Sequence, residues 1–114
     1  MNIGLPADRT EAQVVDFVLA RAEAGTAGDA LVVAVRDEFQ VTGGDAELAV
    51  DRTYGGLVRA FTRNPANRPD RSIDPLAWIS FGRATSDPSI IARLLPQLSA
   101  RNNEEQHGPP DRTG

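Results

Sequence analysis

The chain has 114 residues, no cysteine, no lysine and a formal net charge of −4. That length holds one hydrophobic core and not two, and the missing cysteines exclude both a disulfide framework and a thiolate metal site. The opening MNIGLPADRTEAQ has no basic start followed by a long apolar run, and no later stretch reaches membrane-spanning length, so the expectation is a soluble cytoplasmic protein.

In chain order, Thr10 with Gln13 makes a capping box. Val14, Val15, Val18, Leu19 and Ala22 form a helical stripe broadened by Phe17, which predicts a first helix over 10–24 that stops at Gly25. Thr26 and Thr42 each stand three residues before an aspartate, Asp29 and Asp45, at capping-box spacing, and so mark two further helix starts. The second helix is expected from Ala27 or Gly28 to Phe39. Its run Ala30 to Val35 is apolar nearly all round and rich in β-branched residues, a pattern that a buried strand shares. Thr26 and the charged end Arg36-Asp37-Glu38 favour a helix, and its apolar girth predicts the central one.

A third helix is predicted over 43–62, with Ala46, Ala49, Val50, Thr53, Leu57, Ala60 and Phe61 facing inward. Gly55 and Gly56 in its middle each cost about 1 kcal/mol relative to alanine, so the pair implies a close helix crossing at Gly56 or a kink. Asn64 to Asp74 reads as an irregular connection. Asp74-Pro75 supplies an N-cap and a proline at the first helical position, opening a short helix to about Arg83 with Trp78 and Phe81 as its inward anchors. Asp87-Pro88 repeats the device ahead of a last helix with Ile90, Ile91, Leu94 and Leu95 inward, ended or kinked by Pro96. Residues 102–114 read as a disordered tail behind a single domain over 1–101. The expected fold is all-α, a compact bundle of about five short helices.

At its centre, Phe39-Gln40-Val41-Thr42 leaves room only for an αα-hairpin or a helix-turn-helix. These residues resemble the turn of the helix-turn-helix DNA-binding class, in which a small residue lies between two apolar positions and a hydroxyl residue caps the second helix. The likeness covers about twenty residues. Gln40 stands where glycine is usual, and Arg36 where a small residue usually lets the helices touch. The resemblance implies a second helix that enters the major groove; without it the unit is an ordinary αα-hairpin.

Charge is unevenly spread. Residues 1–51 carry −7, residues 52–83 carry +4 and the remainder −1, and all twelve basic residues are arginine. Arg52, Arg59 and Arg63 recur at i, i+7 and i+11, one line on the flank of the third helix, with Gly56 in the same line and Arg68 and Arg71 beyond it. Such a line suits a phosphate backbone or an acidic partner surface. It equally suits a solvated face paired locally to Asp51 or Glu47. Catalysis has little to stand on: His107 is the one histidine, and neither a glycine-rich phosphate loop nor a metal-ligand spacing is present. The expectation is therefore a non-catalytic protein-interaction or assembly module without cofactor or metal, including self-association of the acidic first half with the basic middle. The alternative is a nucleic-acid-binding accessory protein that uses the same arginines.

Overall fold

A computed structural model describes residues 3–62, 69–94 and 96. The expected tail, Leu95, Arg63 and Arg68 lie outside the described residues. Helices α1 (Glu11–Glu23), α2 (Gly28–Phe39), α3 (Gly43–Thr62) and α4 (Pro75–Ser86) are followed by a helical stretch over 89–94, α5. The fold is an all-α bundle, and no strand occurs among the described residues.

Local signals set most boundaries. Thr10 caps α1: its hydroxyl accepts the Gln13 N–H, and the Gln13 side chain accepts the Thr10 N–H at 2.9 Å, closing the box. Thr42 Oγ1 accepts the Asp45 N–H at 3.1 Å at the start of α3, but Asp45 does not reach back to complete the box. Its Oδ2 instead accepts the Gly4 N–H at 3.1 Å, tying the N-terminal arm to the hairpin. Ile3 on that arm is buried in the core. Asp74 caps α4 with Pro75 at the first turn, and this helix runs to Ser86, beyond the expected Arg83.

Thr26 is not the cap of α2. Gly25 turns the chain at φ 101°, and the Thr26 N–H returns to the Arg21 carbonyl at 3.0 Å while the Gly25 N–H bonds Ala22, a Schellman closure of α1. Thr26 is thus engaged by the preceding helix, and Ala27 precedes α2 with no side-chain cap. At the other end of α2, Gln40 adopts φ 57° and ψ 43°, the left-handed conformation that glycine takes most readily. Its Nε2 donates to the Asp37 carbonyl at 2.8 Å.

The central helix is α3, not α2. It contacts α1, α2 and α4, and buries Ala46, Ala49, Val50, Thr53, Tyr54, Gly56 and Leu57. From α2 only the line Leu31, Val35, Phe39 is buried, with Phe39 meeting Phe17 edge to face at 5.4 Å. Val33 is left 42 % exposed. A β-branched run that is apolar all round still presents a single face when one neighbouring layer exists to bury it.

Trp78, Phe81 and Phe61, placed inward by their period, lie outside the buried core. Trp78 and Phe81 are half-buried, and α4 faces inward with Leu76, Ala77, Ser80 and Ala84. The reason is Gly56. A Cβ there would lie 2.3 Å from the Ala77 carbonyl oxygen and 2.9 Å from the Ser80 Cβ, so α3 and α4 cross backbone to backbone, and only small residues fit between them. The Ser80 hydroxyl donates to the Thr53 carbonyl at 2.6 Å across this crossing, and the Thr53 hydroxyl donates to Ala49 at 2.8 Å, so both buried hydroxyls are satisfied. Phe61, placed inward by its period, is 37 % exposed. Its ring lies in the last turn of α3 and opens onto a groove that it shares with Ala84, Pro88 and Ile91.

Candidate interaction surface

Contacts along the crossing rise together. Arg52 reaches Asp74 at the start of α4, Gly56 meets Ala77 and Ser80, and Ala60 lines a groove with Ala84. The two helices therefore run in the same direction. The turn over 70–74 carries Arg71 three residues before Asp74, the carboxylate that Arg52 reaches.

The nominated residues separate on this frame. Arg52 Nη1 lies 3.4 Å from Asp74 Oδ2, and that carboxylate also caps α4, so Arg52 helps to fix the crossing. Gly56 is buried beneath α4, where a partner has no access to it. Arg59 is half-buried and Arg71 exposed; neither pairs with a carboxylate among the described residues. Arg9, Arg36, Arg83 and Arg93 do pair: with Glu38 at 3.0 Å, Asp37 at 3.1 Å, Asp16 at 2.9 Å and Glu23 at 2.6 Å. Asp16 and Glu23 lie on α1, so part of the charge separation read along the chain closes within the fold. Each such exposed pair is worth up to about 1 kcal/mol.

The turn that carries Arg71 is held by Asp70. Its Oδ1 accepts the Ser72 N–H at 2.9 Å and the Ser72 hydroxyl at 2.7 Å, and its carbonyl accepts the N–H groups of Ile73 and Asp74. Hydrogen bonds from the Ser72 hydroxyl and backbone hold the Asp70 carboxyl below its ordinary range. On this turn Ile73 is 65 % exposed, more than the other two exposed large hydrophobics of the described residues, Val33 and Phe61. Sequence reasoning passed over Ile73; its one signal was a lone aliphatic residue inside the polar stretch NRPDRSID.

A second feature lies at the other end of the α3–α4 crossing. Ala60, Phe61, Ala84, Pro88, Ile91 and Ala92 line an open groove of about 570 Å³. The outward residues at the start of α3 are Gly43, Gly44, Glu47 and Asp51, all exposed. In a helix-turn-helix reader these positions would meet base edges; here they offer glycines and carboxylates. No group of metal-ligating side chains and no helix able to cross a membrane occurs among the described residues.

No protein-family model matches the chain, and no curated protein or solved structure matches it either. A functional reading must then rest on the chemistry of the surface itself.

Proposed function

We propose that the chain is a small non-catalytic protein-interaction module that docks an acidic partner surface on the flank of α3 and the turn before α4. Arg59 and Arg71 supply the cations and Ile73 the apolar anchor. The observation that carries this reading is two arginines that meet no carboxylate among the described residues, one of them on the same turn as Ile73, the most exposed large hydrophobic side chain of those residues. Guanidinium groups beside an exposed aliphatic residue suit a carboxylate-bearing surface with an apolar centre. The helix-turn-helix form of the nucleic-acid reading is disfavoured by Glu47 and Asp51 at the positions of α3 that would meet base edges.

The test is a fluorescence anisotropy titration with two labelled probes, a glutamate-rich peptide carrying one leucine and a duplex DNA, at several salt concentrations. We expect weak, salt-sensitive peptide binding that Arg59→Gln/Arg71→Gln removes and Ile73→Ser weakens, and no duplex binding at low salt. Duplex binding whose log K against log salt flattens by roughly 0.9 per arginine removed would instead establish phosphate contacts. Peptide binding that the double substitution leaves unchanged would refute the proposed flank.

A further inference from the structure

The flank leaves open which acidic surface it takes, and the same chain displays one that fits. On α2, Asp29, Val33 and Asp37 follow one another at four-residue spacing, so they form a single ridge, and all three are exposed. Val33 is one of three large hydrophobics exposed among the described residues. A carboxylate stands one turn to either side of it. Arg36 Nε lies 3.1 Å from Asp37 Oδ1 at the edge of the ridge, in a pair whose two side chains are 48 % and 66 % exposed. An exposed pair of that kind is weakly held and open to exchange.

Resting on the reading above, we infer that the partner is a second copy of this chain, whose Asp29–Val33–Asp37 ridge docks on the Arg59, Arg71 and Ile73 flank. Each surface has one exposed aliphatic side chain, flanked by carboxylates on the ridge and accompanied by guanidinium groups on the flank. Asp16 and Glu23, the carboxylates of the acidic half that meet arginines of α4 and α5, lie on α1, which has no exposed large hydrophobic side chain, whereas the ridge on α2 carries Val33. Contact between unlike surfaces of identical chains is complementary in charge and sensitive to salt.

Sedimentation velocity tests this with two neutralised variants, Arg59→Gln/Arg71→Gln and Asp29→Asn/Asp37→Asn, each first checked for a native far-ultraviolet spectrum and thermal midpoint. We expect the wild type to associate at low salt and dissociate at high salt, and each variant to be monomeric alone. An equal mixture should form a one-to-one heterodimer, because the first variant retains the ridge and the second retains the flank. Val33→Ser should weaken wild-type association at least tenfold. A wild type that stays monomeric at low salt and high concentration overturns the inference, as does an associating wild type whose two variants fail to combine. If the monomeric wild type still binds the glutamate-rich peptide through Arg59 and Arg71, the docking flank stands and only the second copy falls.

Discussion

Gly55 and Gly56 are adjacent, helical and chemically identical, yet alanine at each should act with opposite sign. At Gly56 an added Cβ would meet the Ala77 carbonyl oxygen at 2.3 Å, the Ser80 Cβ at 2.9 Å and the Phe81 nitrogen at 3.0 Å. Ordinary contacts between carbon atoms lie at about 3.5–4.0 Å, and two of these three neighbours are backbone, so no rotamer change relieves the clash. Helix α4 must move away by roughly 1 Å, which stretches the 2.6 Å bond from Ser80 to Thr53 and the 3.4 Å contact of Arg52 with Asp74. Overpacking of this kind costs about 1–3 kcal/mol and a weakened buried hydrogen bond about 1 more, against a gain of about 1 from helix propensity. The net expectation is a loss of about 1–3 kcal/mol, a sizeable part of the total stability of a small domain. At Gly55 an added Cβ meets nothing within 4 Å, and the backbone is not left-handed. There the propensity gain of about 1 kcal/mol stands alone, and it should raise the thermal midpoint by roughly 4–8 °C. Thermal and urea unfolding followed by circular dichroism, with unchanged urea slopes as the control for two-state behaviour, measures both variants. Equal effects at the two positions, or a stabilised Gly56→Ala, would refute the close crossing.

Gly25→Ala should cost about 1 kcal/mol or more although nothing lies within 4 Å of the added Cβ, because φ 101° strains any L side chain; a neutral urea midpoint would contradict the Schellman closure of α1. Deleting residues 1–4 removes the buried Ile3 side chain and the bond from Gly4 to Asp45, and should cost about 2 kcal/mol in denaturant titration, whereas a mere ornament would cost nothing. Asp87, at the start of α5, is held below the ordinary carboxylate range chiefly by the Ser89 hydroxyl. Because its folded value lies below the unfolded one, its contribution is present above about pH 4 and fades as pH falls through the lower folded value. Asp87→Asn should therefore flatten the fall of the thermal midpoint as pH drops below about 4, and an unaltered slope there would argue against this linkage.

What the sequence determined by itself was whatever one turn of chain decides. The Thr10 and Gln13 box, the Thr42 start, the Asp74-Pro75 opening and the bounds of α3 all rest on groups within a few residues of each other, and they stand as the pattern predicts. Local chemistry fails where two elements compete for one residue, as at Thr26, which closes α1 before it can cap α2. Which face turns inward was a tertiary decision. Periodicity sees Trp78, Phe81 and Phe61 as large and apolar, but the backbone contact at Gly56 admits only Ala77, Ser80 and Ala84 to the crossing, and Phe61 opens onto a groove shared with Pro88 and Ile91. The candidate surface divides in the same way. The arginine line is legible because it follows a helical period, but pairing is a property of three-dimensional neighbours. Arg83 finds Asp16 across 67 residues and Arg52 finds Asp74 across 22, while Arg59 and Arg71 meet no carboxylate among the described residues. Ile73 joined the surface only once the Asp70 turn had brought that stretch back to the start of α4, because the burial of a lone side chain in an irregular segment is set by where the segment lands and not by its neighbours in sequence.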